Sequence, residues 1–270
     1  MISPKSRDDL ARQFAGLAVS AGALIMKIYE SSFEVRFKTD NSPVCNADEM
    51  AEALILRQLP SILPDVPVVA EEASARGLTP RCGESFLLVD PLDGTREFLA
   101  HNGEFTVNIA LIEAGRPVAG AIYAPALEKL WFGGHSAFSC TVAPGQPLPA
   151  LAQCQALHTR HAPKAGLTAL ASRSHCNAET QAFLARLPIL EKNDAGSSLK
   201  FCRLAEGQAD VYPRFSPTME WDTAAGDAIL QAAGGVVLDA NGTPLHYGKG
   251  TNHFKNDSFI AWGDPARALH

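Results

Sequence analysis

The segment Asp90-Pro91-Leu92-Asp93-Gly94-Thr95 places two aspartates three positions apart, directly after the apolar run Phe86-Leu87-Leu88-Val89. Carboxylates gathered at the end of a buried strand repel one another and are driven to take up protons, so stability alone is a poor reason for the pair. A hard divalent cation removes that penalty; Mg²⁺ takes oxygen ligands from a few carboxylates, a backbone carbonyl, water and substrate phosphate. Pro91 restricts the turn and Gly94 permits a close or unusual backbone path, so both side chains and the Leu92 carbonyl can face one point. Further acids stand at element boundaries: Glu71 and Glu72 after an apolar run ending at Ala70, and Asp222 near the start of a helical segment. Singly, each has a plainer account, the hexamer as a proline-containing turn, Asp222 as a helix cap, Glu71 as a solvated strand end. Together they are several element ends able to converge on a cation. Such a cluster supports hydrolysis of a phosphate ester, one ion lowering the pKa of the attacking water and another stabilising the leaving oxygen. An aspartyl-phosphate mechanism, with one of the pair as nucleophile, is a second reading of the same acids.

The elements that must position these groups are read from hydrophobic spacing. Residues 8–29 carry Leu10, Phe14, Leu17, Ala21, Leu24, Ile25 and Ile28 at helical intervals. A second helix is expected from Asn46, with Asn46 and Glu49 as a capping box, until Pro60 and Pro64 break it. Residues 66–70 and 86–89 read as buried strands, 105–125 as two strands around a turn at 113–117, and 129–134 as another, which suggests a sheet with helices on one side. Residues 130–159 lack Asp, Glu, Lys and Arg but are interrupted by prolines and glycines. A junction or sheet-to-sheet crossing is therefore placed around 140–153. It divides the chain into an N-terminal α+β domain, 1–150, with most of the acids, and a C-terminal α/β domain, 151–270, with Asp222. The second half alternates strand (167–172, 209–215, 236–240) with helix (178–187, 196–207, 222–235), so the expected class is a mixed α/β layer structure.

The 270 residues are 46% hydrophobic and 19% charged, with 23 basic against 29 acidic side chains and a net charge of -6. That composition excludes a disordered chain, and the absence of a basic stripe argues against long nucleic acid as a partner. A small phosphorylated substrate is still accommodated, because one cation can reverse the field inside a cleft. The cysteines, Cys45, Cys82, Cys140, Cys154, Cys176 and Cys202, form no CxxC pair and read as reduced, mostly structural thiols. The longest uncharged N-terminal stretch, 13–26, contains Ser and Gly and is too short for a span, so neither a signal peptide nor a transmembrane segment is expected. A cytoplasmic protein is inferred, monomer or homodimer, with peripheral association to the inner face of a membrane left open.

The pieces AEE at 70–72, DPLDGT at 90–95 and WDTAAG at 221–226, with KTDNSPVCNAD at 38–48, resemble in order and spacing the motifs of the inositol-monophosphatase-like superfamily of Mg²⁺-dependent, lithium-sensitive phosphomonoesterases. The resemblance covers nearly the whole chain and implies the layered αβαβα sandwich of the sugar phosphatases. It implies two or three Mg²⁺ ions, with Glu71 bridging them, Asp90 and Asp93 ligating through carboxylates, Leu92 through its carbonyl, and Asp222 completing the second position. Asp48 and Thr95 would form the hydrogen-bonded pair that orients and helps deprotonate the attacking water, with Asp40 and Glu72 close by, supporting the ligands or holding a third ion. Gly94, Thr95 and Asp222 would also meet the substrate.

In the second half, ASRSHCNAE at 171–179 and GSSLKFCRLAEGQADVYPR at 196–214 resemble the CysQ-type 3'(2'),5'-bisphosphate nucleotidases more closely than the inositol monophosphatases or fructose bisphosphatases. By that likeness Ser174 and His175 would contact the distal side of a nucleotide, and Ser197, Ser198 and Lys200 would hold the phosphate that is not cleaved. A helix start with free amides and hydroxyls, beside a lysine charge, is compatible with an anion, although plain capping and a solvated lysine account for the same residues. Arg173 and Arg214 are further candidates for anion contacts, Tyr212 for the neighbourhood of an adenine ring, and Trp221 for packing beside the acidic loop. The expected reaction is hydrolysis of 3'-phosphoadenosine 5'-phosphate to AMP and phosphate. The alternatives are an inositol or other sugar phosphate as substrate or, of a different class, a non-catalytic nucleotide- or metal-binding protein.

Overall fold

Two sheets organise the protein in the computed structural model, which describes residues 4–31, 35–37, 43–172, 177–250 and 253–268. The first half runs α1 (Pro4–Tyr29), β1 (Val35–Phe37), β2 (Pro43–Cys45), α2 (Asn46–Ile62), β3 (Val68–Ala70), α3 (Glu71–Ala75), β4 (Ser85–Asp93), α4 (Thr95–Leu99), β5 (Thr106–Glu113), β6 (Arg116–Ala124), β7 (Lys129–Gly133), β8 (Ala137–Thr141) and β9 (Gln155–Ala156). The second runs β10 (Leu167–Ser172), α5 (Ala178–Leu184), β11 (Ile189–Ala195), α6 (Leu199–Ala205), β12 (Val211–Arg214), β13 (Thr218–Met219), α7 (Glu220–Ala232), β14 (Val236–Asp239), β15 (Lys255–Asn256) and β16 (Phe259–Trp262).

Strands β3 to β9 form a seven-stranded sheet in sequential order. Its β3–β4 pair is parallel and the rest antiparallel. The second sheet has five strands in the order β11-β10-β12-β16-β14. Helices α1 and α2 cover one face of the first sheet, burying Phe14, Ala18, Ala21, Ile25, Ile55 and Leu59 against Leu87, Ile109 and Ala121. Helices α6 and α7 lie between the sheets, where Phe201, Leu204, Ile229 and Leu230 share a core with Leu88, Ala110 and Ile122 on one side and Val237, Phe259 and Ala261 on the other. Helix α5 packs on β12, and Phe183 and Leu184 close the outer face of the second sheet. The order of layers is therefore αβαβα.

The first sheet carries helices on both faces, not on one as its strand-rich sequence suggests, because α7 from the second half supplies the missing cover. That position explains the composition of α7. A helix between two sheets needs apolar residues nearly all round, and small ones where backbones approach. Gly226 is one such point: a Cβ there would meet Phe201 Cγ of α6 at 2.4 Å. The capping box expected at the start of α2 does not form, since Asn46 Oδ1 is buried with no hydrogen-bond partner. No described helix is long and apolar enough to cross a membrane.

Candidate active site

In a regular strand, residues three apart point to opposite faces, which would separate Asp90 from Asp93. The structure resolves this with a bulge. Asp90 lies opposite Asn108 on β5 and Asp93 opposite Thr106, so three steps along β4 match two along β5. The extra residue restores the parity and turns both aspartates to one side. Gly94 follows at φ +92, and a Cβ on it would stand 2.9 Å from Ser197 Oγ, so the turn between β4 and α4 needs glycine on two counts. Thr95, the first residue of α4, places its Oγ1 3.2 Å from Asp48 Oδ1 and 3.4 Å from the Leu92 carbonyl. Asp48 reaches this point from the first turn of α2 and is buried.

Glu71 and Glu72 open α3 at the end of β3. The Glu72 amide donates to Glu52 Oε2 at 2.7 Å, and the other oxygen of buried Glu52 pairs with Arg76 at 3.0 Å. Glu52 thus pins the loop that carries Glu71. On the opposite wall, the N-terminus of α7 supplies Asp222, whose Oδ2 accepts the Met219 amide at 2.9 Å and a short hydrogen bond from the Thr218 hydroxyl. Glu71, Asp90, Leu92, Asp93, Thr95 and Asp222 line one cleft of about 330 Å³.

The carboxylates feel one another strongly. Burial, followed by the charges of Glu71, Asp93 and Asp222, holds the Asp90 carboxyl well above the ordinary carboxylate range. Burial, then Asp93, pushes Asp222 up to about 6 despite the opposing Thr218 hydrogen bond. The Glu71 carboxyl is among the groups that raise Asp90, a repulsion that a cation between them would relieve. Among the described residues no three His, Cys, Asp or Glu side chains form an assembled ligand group. Asp93 and Asp222 are instead drawn onto Ser198, Thr218 and the Met219 amide. The fit to a metal rests on donor chemistry: an all-oxygen set of mutually repelling carboxylates suits a hard divalent cation.

The second-half candidates Ser197, Ser198 and Lys200 line the same cleft and are hydrogen-bonded within the protein. The Ser198 hydroxyl sits 2.7 Å from Asp93 Oδ2 and 2.9 Å from the Asp222 carbonyl, and it accepts from Asn108 Nδ2 at 2.8 Å. The Ser197 hydroxyl donates to the Asp93 carbonyl at 2.6 Å. Lys200 is buried, and its ammonium donates to the carbonyls of Ala195 and Ser197 at 3.0 and 2.6 Å. Burial lowers its pKa to about 8. These three residues hold Asp93 and the turn before α6. Arg214 and exposed Arg96 are the other cationic side chains lining the cleft; Arg214 gives Nε to the Ser216 carbonyl at 3.4 Å and Nη2 to the Pro217 carbonyl at 3.2 Å. Tyr212 is buried edge-on against Phe201 and Phe259, a core residue that also lines the cleft. Trp221 packs against Phe254 at 6.3 Å beside Asp222. Asp40, Arg173, Ser174 and His175 lie outside the described residues. Sequence reasoning passed over Glu52 and Asn108, whose only signal is a polar residue in an apolar helix face or strand.

Comparison with known proteins agrees with this architecture. The profile of the Inositol monophosphatase family matches residues 7–263. The 3'(2'),5'-bisphosphate nucleotidase CysQ of Escherichia coli is 42% identical over 237 residues, covering 87% of this chain and 92% of that protein. The crystal structure of CysQ from Bacteroides thetaiotaomicron superposes with a TM-score of 0.79 at 39% identity, covering 94% of this chain and 97% of that one. An IMPase from Thermotoga maritima shares the fold, with a TM-score of 0.74 at 22% identity over 97% of this chain and 95% of the other. With the layers, the acidic cleft and a family profile spanning almost its full length in agreement, the chain belongs to the inositol monophosphatase family.

Proposed function

We propose that the protein hydrolyses the 3'-phosphate of 3'-phosphoadenosine 5'-phosphate, releasing AMP and inorganic phosphate. The observation that carries the reaction class is the convergence of Glu71, Asp90, Asp93 and Asp222 on a cleft that Thr95 also lines, its hydroxyl 3.2 Å from Asp48 Oδ1. The nucleotide is supported by the identity to CysQ proteins in both sequence and structure.

Mg²⁺ fits the carboxylates of Glu71, Asp90, Asp93 and Asp222 with the Leu92 carbonyl, and when bound it supplies charge neutralisation and polarisation of the phosphate ester. The rest of the work falls to this chain. Thr95 Oγ1 lies 3.2 Å from Asp48 Oδ1; donating its proton there leaves its own lone pairs to accept a proton from an attacking water and relay it to Asp48. Ser198, fixed by Asn108, holds the Asp93 carboxylate in place before substrate arrives. Arg214 stands in the cleft beside Asp222 and carries the positive charge for the phosphate that is not cleaved.

The deciding measurement is phosphate release from 3'-phosphoadenosine 5'-phosphate, 3'-AMP and inositol 1-phosphate with Mg²⁺. The bisphosphate is expected to be cleaved with the highest kcat/KM. Preference for inositol 1-phosphate would overturn the nucleotide assignment and leave the phosphatase standing; no release from any of them would favour a non-catalytic binding protein.

A further inference from the structure

Strands β8 and β9 pair antiparallel, with Phe138 opposite Ala156 and Ser139 opposite Gln155. Continuing that register by one residue sets Cys140 opposite Cys154, which is itself extended at φ -83 and ψ 146. The Leu157 amide donates to the Ala137 carbonyl at 2.8 Å, so that opposing pair is hydrogen-bonded, and alternation along the ladder makes Cys140 and Cys154 a non-hydrogen-bonded pair. Opposing Cα atoms at such positions stand about 4.5 Å apart, within the span of a disulfide. Both thiols are free and half-buried and both pack on the α1 side of the sheet, the Cys154 thiol donating to the Ala150 carbonyl at 3.7 Å.

We propose that Cys140 and Cys154 form a modification site: an oxidant of the peroxide class closes them into a disulfide that staples the sheet edge where the chain crosses from the first sheet to the second. The Cys154 sulfur attacks one peroxide oxygen, the O–O bond breaks, and the released hydroxide leaves as water with the thiol proton, giving a sulfenic acid. The Cys140 sulfur then attacks the Cys154 sulfur, the S–O bond breaks, and the departing hydroxide takes the Cys140 proton as a second water. The two thiols have given two electrons and two protons, and the peroxide has become two waters. The order of attack follows from the surroundings. Burial, with Cys154 beside it, pushes the Cys140 thiol up to about 12 against the pull of Arg12 and Lys129, and a thiol held protonated is a poor nucleophile toward peroxide. The bond closes the loop 141–153, whose Pro149 carbonyl already accepts from Arg12 of α1 at 2.6 Å. A loop of this length is one whose closure restrains the unfolded chain appreciably.

Lys129 and Arg160 bracket a stretch with no other Lys or Arg, so both cysteines fall in one tryptic peptide. Wild type, Cys140→Ser and Cys154→Ser are treated with a few-fold excess of hydrogen peroxide, alkylated under denaturing conditions and digested. Wild type is expected to yield peptide 130–160 without alkyl groups and lighter by two hydrogens, with alkylation restored by dithiothreitol. Its Tm is expected to rise by about 5 °C on oxidation, with no rise in either variant. A peptide that still accepts two alkyl groups, that carries sulfinic acid without a disulfide, or that is cross-linked to another cysteine overturns the site. A disulfide with unchanged Tm overturns the staple.

Discussion

Asp93 is held from three directions: its Oδ2 takes Ser198 at 2.7 Å and Asn108 at 3.5 Å, and its carbonyl takes Ser197 at 2.6 Å. A side chain fixed this firmly beside other carboxylates is placed for charge and not for stability. Asp93→Asn is therefore expected to lower turnover by at least about 100-fold while leaving the Tm of the Mg²⁺-free protein unchanged or raised, since repulsion on Asp90 and Asp222 falls. Near-native turnover in this variant would remove Asp93 from the site. Lys200 and Arg214 make a contrasting pair. Lys200 serves two backbone carbonyls, so Lys200→Ala should lower stability by about 1–3 kcal/mol and slow all phosphate substrates by a common factor. Arg214→Ala should instead cost about 10- to 100-fold in kcat/KM for 3'-phosphoadenosine 5'-phosphate and much less for 3'-AMP, which lacks the second phosphate. Equal losses for Arg214→Ala on the two nucleotides would count against its assigned role.

At the scale of elements, the bulge in β4 and the left-handed turn at Gly94 together aim the acidic segment. Gly94→Ala sets a Cβ 2.9 Å from Ser197 Oγ at φ +92. Its expected cost is about 1–3 kcal/mol of stability, with a fall in turnover because Asp93 and Thr95 flank the strained residue; thermal melts beside rates test this. Helix α7 carries, besides Glu220 and Asp222, the buried acid Asp227. Asp227 accepts from Gln231 Nε2 at 2.6 Å and from the Tyr247 hydroxyl at 2.9 Å, and burial pushes its carboxyl up to about 6 despite both bonds. The folded protein therefore binds this proton more tightly than the unfolded chain does. The contribution to stability is fully present below about pH 4 and is lost as pH rises through 6. Across that window wild type should lose up to about 3 kcal/mol relative to Asp227→Asn. Urea melts of both proteins at pH 4.5 and pH 7 read the difference, and parallel behaviour would show that Asp227 keeps an ordinary pKa.

The cleft lies where the start of α3, the end of β4 and α4 meet the N-termini of α6 and α7, so acidic side chains from both halves of the chain line it. A cation held there ties the first sheet to the layer between the sheets. Mg²⁺ at about 100 times its Kd is expected to stabilise the protein by about 2.7 kcal/mol, a rise of about 5 °C in Tm that Asp93→Asn largely abolishes. Exhaustive chelation should stop phosphate release and added Mg²⁺ restore it. Full activity after chelation would remove the metal from the reading.

The acidic motifs, the helices α1 and α2 and the strands β4 to β7 are legible in the sequence, because each rests on neighbours within a few residues: an apolar period, a proline, a glycine, an acid at an element's end. Family likeness adds the layer order. Strands such as β11 are not legible; the polar run Glu191, Lys192, Asn193 and Asp194 is assigned to no element by the sequence, and pairing with β10 draws it into a sheet edge. The side-chain partnerships lie further still from local pattern. Asn108 meets Ser198 across 90 residues and Asp48 meets Thr95 across 47, distances bridged by strand register and layer packing. The bulge that turns Asp90 and Asp93 to one face is a property of the β4–β5 pair and not of either strand. Lys200 shows the same limit. Its residue type and its place near a helix start suit an anion, yet the packing of α6 between the two sheets buries the ammonium, and a buried cation takes the nearest carbonyls. Residue types and their spacing determine which chemistry is available; tertiary packing decides which groups face the cleft, because only it sets burial and long-range contact.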